Sequence, residues 1–304
     1  MSDGASTARR LGGSVSRRDF FGLMGGLALV SSVRGDANDG GSVLSAEPPS
    51  RRAAEPSFPI GIQLYTLREL LSKDFEGTLA ALAEIGYREV EFAGLYNRSA
   101  RDVRSILDRH GLRAPAGHVG IPEITDTIDQ TIADAKTLGH EFVVVPWVPD
   151  ELRSVDGYRQ IAETFNRAGT TLRAAGLTLG YHNHWFEFDH LSSPSSTCGY
   201  DLLLQYTDPN LVVMELDLYW IRKGGRDALQ YFRDFNGRFR LVHVKDMAAD
   251  GSMADIGRGV IGWAELLGAA KAAGVRHFLV EHDAAKDPLS FARTSFDYLR
   301  TLTL

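Results

Sequence analysis

The sequence alternates short apolar, β-branched runs with longer stretches of helical periodicity from Ile60 to its C-terminus. This alternation is typical of repeated βα units, which build a parallel sheet with helices packed against it. The runs with strand character are Ile60–Thr66, Glu89–Ala93, Arg113–His118, Phe142–Trp147, Thr178–His184, Val212–Tyr219, Arg240–Lys245 and His277–His282. Eight such units close a (β/α)₈ TIM barrel, so this count constrains the fold more than any other feature.

The segments between the predicted strands have the pattern of amphipathic helices. They are Phe75–Ile85, Ala100–His110, Ile124–Leu138, Gly157–Ala175, Leu202–Tyr206, Ala228–Phe235, Trp263–Ala273 and Phe291–Leu299. Several of them are followed by a glycine, as expected of helices that end in a left-handed C-cap before a strand. These glycines are Gly86, Gly111, Gly139, Gly176 and Gly274.

An open, doubly wound α/β sheet is the alternative to a closed barrel. That fold usually carries a glycine-rich phosphate turn after its first strand. Here the first strand runs into Gln63-Leu64-Tyr65-Thr66 instead. We therefore predict a single-domain α/β TIM barrel over residues 58–304.

The first fifty residues differ in composition from the rest of the chain. Ser16-Arg17-Arg18-Asp19-Phe20-Phe21 precedes the apolar run Gly22–Val30, a pattern that resembles a twin-arginine export signal. The alternatives are an uncleaved anchor or a disordered tail. However, the apolar segment from residue 20 to 33 is too short to span a bilayer core of ~30 Å. We expect residues 1–50 to be an export signal and linker, no stable membrane span after cleavage, and a periplasmic or secreted protein.

Charge and cysteine content exclude some classes of partner and cofactor. The net charge is −6, and acidic and basic residues are interspersed without a basic tract, so nucleic acid is not an expected partner. Cys198 is the only cysteine, so no disulfide can form within the chain and thiolate-held redox metals are excluded. Barrels of this kind often pair, so a homo-oligomer is compatible with the sequence.

Polar side chains follow the apolar interiors of the last four predicted strands. In a parallel barrel the carboxyl ends of the strands meet at one mouth. The converging residues are His182 or His184, Asp217, His243 and Glu281. A single histidine or aspartate in such a place is often a loop anchor, but four on adjacent strands indicate a metal site. Mixed nitrogen and oxygen ligands suit Mn²⁺, Co²⁺, Mg²⁺ or Zn²⁺.

Several longer motifs carry a resemblance to a known family. They are Gly61–Thr66, Gly86–Glu91, Tyr181–Phe188, Leu241–Asp246 and Gly257–Trp263. Together they resemble the sugar phosphate isomerase/epimerase family of xylose isomerase-like TIM barrels over nearly all of residues 58–304. The resemblance implies a divalent metal held by Glu, Asp, His and a second Glu at the ends of strands five to eight.

Three of these ligand positions carry over as Asp217, His243 and Glu281. The strand-five glutamate of the family pattern falls at or next to His182. His182 is therefore the predicted fourth ligand. His184, Glu187, or three protein ligands completed by water are the alternatives.

The resemblance also implies the chemistry of the site. The metal holds a carbonyl and a neighbouring hydroxyl of a small sugar, and a carboxylate removes the adjacent proton to give a metal-stabilised enediolate. Glu281 is the predicted base, and the alternative acid/base groups are Glu91, Glu187, His118 and His184. Lys245 lies two residues after His243 and so on the same side of its strand, where it is predicted to neutralise an oxyanion, to anchor substrate or to pair with an acid.

Substrate binding is predicted from the loops after the strands. Trp185 opens a long insertion after the fifth strand and is the predicted sugar platform, and His118 and His184 are further contacts. Arg258, within Gly257-Arg258-Gly259, marks a small anion site. The expected substrate is an unphosphorylated keto-sugar or keto-glycoside.

Several outcomes remain open at the level of the sequence. Isomerase/epimerase and lyase/dehydratase reactions share one enediolate. A non-catalytic, exported sugar-binding barrel is the alternative from another class. An endonuclease acting at abasic sites shares the fold, but needs more metal ligands and a basic groove.

Overall fold

Eight parallel strands close into a barrel in the computed structural model, which describes residues 57–191 and 197–304. The strands are β1 (Ile60–Gln63), β2 (Glu89–Phe92), β3 (Arg113–His118), β4 (Phe142–Val145), β5 (Thr178–His182), β6 (Val212–Asp217), β7 (Phe239–Val244) and β8 (His277–Val280). Each pairs with the next, and β1 pairs with β8, where Ile60 lies opposite Phe278. The predicted TIM barrel is confirmed.

Helices alternate with the strands and surround the barrel. They are α1 (Arg68–Lys73), α2 (Phe75–Ile85), α3 (Ala100–His110), α4 (Ile121–Thr125), α5 (Ile128–Leu138), α6 (Val155–Ala174), α7 (Gly199–Tyr206), α8 (Leu218–Lys223), α9 (Ala228–Asp234), α10 (Trp263–Ala272) and α11 (Pro288–Leu299). Short 3₁₀ helices span Leu64–Leu67, Asp150–Leu152 and Phe186–Phe188. A small antiparallel pair joins Asp246–Met247 to Met253–Ala254.

Several predicted strands were too long because their polar ends turn into short helices. Asp217 ends β6, and its Oδ1 accepts hydrogen bonds from the backbone N–H groups of Tyr219 and Trp220. This N-cap starts α8, a helix that the apolar run through Tyr219 concealed. The segment Ile124–Leu138 was predicted as one helix but forms parts of two, because the helical conformation is interrupted at Asp126 and Thr127.

The predicted glycine C-caps are confirmed in their backbone conformation. Gly86, Gly111, Gly139, Gly176 and Gly274 all have positive φ. Gly86 is also constrained by packing, since a Cβ there would lie 2.6 Å from the Phe296 ring. Gly86 therefore combines a turn that favours glycine with a close helix contact.

The barrel interior changes from apolar to polar along the strands. An apolar layer is built by Ala116, Phe142, Val144, Val213, Leu241 and Leu279. Because alternate residues of a strand face the same side, the next inward position after Leu241 is His243, and the one after it is Lys245. The same alternation brings Asp217 and Glu281 into the polar layer at the mouth.

Two sequence predictions lie outside the described residues. These are the export signal and linker at residues 1–50, and the serine-rich part of the insertion at residues 192–196. Within residues 57–191 and 197–304, no helix is long and apolar enough to cross a membrane.

Candidate active site

A cavity of about 780 Å³ opens at the carboxyl ends of the strands. Among the predicted site residues, its described lining includes His118, His182, His184, Lys245 and Glu281. This is where the loops after the strands place the active sites of TIM-barrel enzymes. The polar inner layer of the barrel forms the floor of the cavity.

The four predicted metal ligands converge. His182, Asp217, His243 and Glu281 are all buried, and each offers a ligand atom within 4.8 Å of those of the others. Asp217 Oδ2 and His182 Nδ1 make no well-directed hydrogen bond among the described residues, although Lys245 Nζ lies 3.1 Å from Asp217 Oδ2 and Glu215 Oε2 lies 3.2 Å from His182 Nδ1. Burial raises the pKa of Asp217 to about 6. Buried nitrogen and oxygen ligand atoms this close together form a donor set that fits a divalent cation.

His243 has a carboxylate at each ring nitrogen. Its Nδ1 lies 2.7 Å from Glu281 Oε2, and its Nε2 lies 2.8 Å from Glu91 Oε2. Glu91 is fully buried, does not belong to the described lining of the cavity, and accepts a 2.7 Å hydrogen bond from Gln63 Nε2. Glu91 therefore fixes the orientation of the His243 ring through Nε2, as carboxylates commonly do for metal-binding histidines.

Lys245 is buried among three acids. Its Nζ lies 2.9 Å from Glu281 Oε2, 3.1 Å from Asp217 Oδ2 and 2.8 Å from Asp283 Oδ1. Burial alone would lower the pKa of Lys245, but these carboxylates hold it above its usual value. Burial would likewise raise the pKa of Glu281, but Lys245 and His243 hold it well below its usual range. Of the roles predicted for Lys245, pairing with an acid is the one observed, and the residue also lines the cavity.

Glu215 is a site residue that the sequence prediction missed. Its Oε2 lies 2.8 Å from His118 Nε2, 3.2 Å from His243 Nε2 and 3.2 Å from His182 Nδ1, although the last pair lacks the angles of a hydrogen bond. These residues form a second buried group able to hold a cation. Glu215 precedes Asp217 by two positions on β6, so strand periodicity was a signal that could have found it.

Glu187 does not face the cavity. Its Oε1 accepts a hydrogen bond from the Tyr181 hydroxyl, and its Oε2 accepts one of 2.9 Å from the His184 backbone N–H. Glu187 is fully buried, and burial raises its pKa to about 7. Glu187 therefore lies apart from the other predicted acid/base residues. Its hydrogen bonds hold the loop after β5 in place.

Arg258 is also apart from the cavity. Its side chain is exposed and lies outside the described lining residues. The backbone N–H groups of Gly257 and Gly259 donate to Asp246 Oδ2 at 2.9 and 3.1 Å. The predicted anion site at these glycines is filled by the protein's own carboxylate.

Aromatic side chains surround one side of the mouth. Trp185 is 42% exposed, and its ring centroid lies 4.9 Å from that of Trp220. Trp147 is 43% exposed and lines the cavity. His184 stacks on Phe186, and burial lowers the pKa of His184 to about 3, so its ring is neutral near pH 7. These flat faces offer stacking surface for a sugar ring.

Comparison with known proteins gives matches over most of the chain. A family model described as Xylose isomerase-like TIM barrel matches residues 79–302. The inosose dehydratase of Geobacillus kaustophilus (strain HTA426) is 23% identical over 195 residues, which cover 57% of this chain and 62% of that protein. The chain thus spans less than two thirds of the length of this relative.

Solved structures share the fold. A sugar phosphate isomerase/epimerase from Parabacteroides distasonis ATCC 8503 superposes with a TM-score of 0.73 and 27% identity, covering 83% of this chain and 96% of that one. The 3-keto-D-glucoside 4-epimerase from E. coli superposes with a TM-score of 0.58 and 16% identity, covering 80% and 99%. The second likeness is one of fold alone.

Proposed function

Because the chain belongs to the xylose isomerase-like TIM barrel family, we propose that it is a metal-dependent sugar isomerase or epimerase. Its substrate is an unphosphorylated keto-sugar or keto-glycoside, from which it removes the proton next to the carbonyl. One observation carries the proposal: four buried ligand atoms converge within 4.8 Å at the floor of a cavity that Lys245 and Glu281 also line.

His182, Asp217, His243 and Glu281 are the proposed ligands of a divalent ion. When bound, such an ion supplies Lewis-acid polarisation of a substrate carbonyl. The convergence of their ligand atoms within 4.8 Å supports this ligand set. His182 takes the place of the family's strand-five glutamate, and Glu91 holds the His243 ring from the opposite side.

Glu281 is the proposed base, and His118 the proposed second acid/base group. Lys245 keeps the Glu281 carboxylate ionised, so Glu281 is able to accept a proton from carbon. Burial by itself would lower the pKa of His118. The carboxylates of Glu91 and Glu215 outweigh this effect and hold the pKa above its usual value, so the ring is readily protonated. Lys245 also supplies a positive charge beside the developing oxyanion.

An unphosphorylated substrate fits the charges of the cavity. Lys245 is the one cationic lysine or arginine among the described lining residues, and it is already paired with three acids. Phosphate sites usually offer an arginine cluster or a free helix N-terminus. The exposed aromatic face of Trp147 lines the cavity and favours a neutral sugar ring instead, while Trp185 is exposed outside the described lining.

A dehydratase is the second candidate, and the similarity to inosose dehydratase favours it. The same proton abstraction leads to loss of a β-substituent rather than reprotonation. Product analysis distinguishes the two, because an isomer keeps the mass of its substrate and an elimination product does not. A sugar-binding barrel without catalysis would bind sugar and leave it unchanged.

Export through the twin-arginine route is also part of this proposal. It is supported by Arg17, Arg18 and the short apolar run that follows them. An exported location agrees with an unphosphorylated substrate.

Metal content tests the proposed centre. We expect purified protein loaded with Mn²⁺ to retain the ion through desalting, and Asp217→Ala, His243→Ala and His182→Ala each to lose most of it. Asp255→Ala, at an exposed position outside the proposed ligand set, is the control and should match the wild type. Full retention in the His182 variant would remove His182 from the ligand set. Full retention in all three would contradict the metal centre.

A further inference from the structure

The cavity extends beyond the barrel mouth into a second limb between α5 and the outer faces of the strands. On the helix side this limb is lined by Thr127, Thr131, Ala135 and Leu138, which share one face of α5 and its N-cap. On the barrel side it is lined by Gly117 and Val143. The limb follows the helix for roughly 16 Å at ~1.5 Å per residue. We call it the helix-side limb.

Small residues line part of both walls of the limb. Strand β3 reads Arg113-Ala-Pro-Ala-Gly-His118, and the His140 imidazole occupies the space outside Gly117. A Cβ at Gly117 would lie 2.8 Å from His140 Nε2, so the imidazole packs directly against the glycine. Thr131 and Ala135 on α5 are small as well. The width of the limb is therefore determined by small side chains on α5 and by His140 packed against Gly117 on the barrel side.

The walls of the limb are mainly apolar. Phe92, Leu138 and Val143 are buried and apolar. His140 Nδ1 lies 2.7 Å from the Ala114 carbonyl oxygen and so donates to it, and Nε2 packs against Gly117. The limb has no lysine or arginine among its described lining residues, while Glu123 and Asp134 add negative charge. Its chemistry disfavours anions and favours a neutral, apolar group.

We propose that the helix-side limb is the subsite for the aglycone of a glycoside substrate. The aglycone is a flat or elongated, neutral apolar group. The inference rests on the proposed function, because that function puts the keto-sugar ring at the mouth. A group attached to that sugar ring can enter the limb, because the limb and the mouth form one cavity of about 780 Å³.

The first test uses wild-type protein and two ligands: a keto-hexose methyl glycoside and its phenyl analogue. Calorimetric titration should give an affinity about ten-fold higher for phenyl than for methyl, because the ring leaves water for an apolar limb. Equal affinities for the two ligands would overturn the proposal.

A matched pair of variants locates the subsite. Ala135→Leu places a larger side chain inside the limb, whereas Ala133→Leu makes the same change at an exposed position of the same helix. We expect Ala135→Leu to lose the preference for the aryl glycoside and to keep the methyl glycoside affinity. Ala133→Leu should keep both. An unchanged aryl preference in Ala135→Leu contradicts the assignment, and the wild-type titration decides the matter if that variant does not fold.

The proposed function fails separately from this subsite. Incubation of the same ligands in D₂O reports proton abstraction next to the carbonyl. An aryl preference that disappears in Ala135→Leu supports the subsite even where no deuterium is incorporated. Deuterium incorporation without any aryl preference supports the reaction and overturns the subsite.

Discussion

At the scale of single residues, the site depends on buried charges that compensate each other. Lys245 contacts three carboxylates, and His243 lies between Glu91 and Glu281. Charges in such a place are tolerated only when they are paired, since each one has lost its water. The proposed metal and Lys245 therefore both compensate the negative charges of Asp217 and Glu281.

Glu187 carries a pH dependence of stability that is separate from the metal site. Burial raises its pKa from 4.5 to about 7, so the folded protein binds this proton more tightly than the unfolded chain. Stability from this group is present below pH 4.5 and is lost as the pH rises towards 7. Glu187→Gln keeps an acceptor for the His184 N–H and has no charge to bury.

We therefore expect the variant to gain stability over wild type by roughly 3 kcal/mol at pH 8 and little at pH 4. Urea unfolding of both proteins at the two pH values measures the difference. The same ΔΔG at both values would mean that Glu187 does not titrate in this range.

The sequence predicted the inward residues of the site better than its loop residues. His118, His182, His243 and Glu281 sit on strands or just beyond them, where alternation and the common mouth determine their direction. Glu187 and Arg258 lie in loops, and chain spacing does not say which way a loop side chain points. Glu215 was missed because the prediction took one polar residue per strand and chose Asp217 on β6.

At the scale of elements, Asp246 organises the loop after β7. Its carboxylate accepts hydrogen bonds from the N–H groups of Gly257 and Gly259 and from Trp263 Nε1. The segment joins the small antiparallel strand pair to α10. A single carboxylate thus fixes the course of a loop at the mouth.

Asp246→Ala should leave these donors without their acceptor and destabilise the protein by about 3 kcal/mol. Hydrogen exchange should show faster exchange at Gly257 and Gly259. Asp250→Ala is the control, since Asp250 accepts hydrogen bonds from Ser252 within an exposed turn. Unchanged protection in the Asp246 variant would refute the role.

Element boundaries were harder to predict than element order. The β and α periodicities and the glycine caps predicted the eight units, because each follows from local backbone geometry. The break between α4 and α5 at Thr127 was not predicted, since the apolar pattern continues across it. Short helices such as α8 depend on a cap and on tertiary packing, which periodicity does not report.

At the scale of the whole molecule, the predicted export signal determines where the protein acts, in the periplasm or outside the cell. A fluorescent reporter fused to residues 1–50 should reach the periplasm of a bacterium with a twin-arginine system. Replacing both Arg17 and Arg18 by Lys should retain it in the cytoplasm. Export that is unaffected by the double replacement would contradict the twin-arginine assignment.

Proton abstraction at the mouth of the barrel is the central step of the proposed function. The most direct measurement is incubation of the Mn²⁺-loaded protein with a keto-sugar glycoside in D₂O, followed by NMR of the sugar. We predict deuterium at the carbon next to the carbonyl, and none with the metal-free protein or with His243→Ala. A metal-loaded wild-type protein that binds the sugar but incorporates no deuterium would contradict the proposed function and favour a sugar-binding barrel.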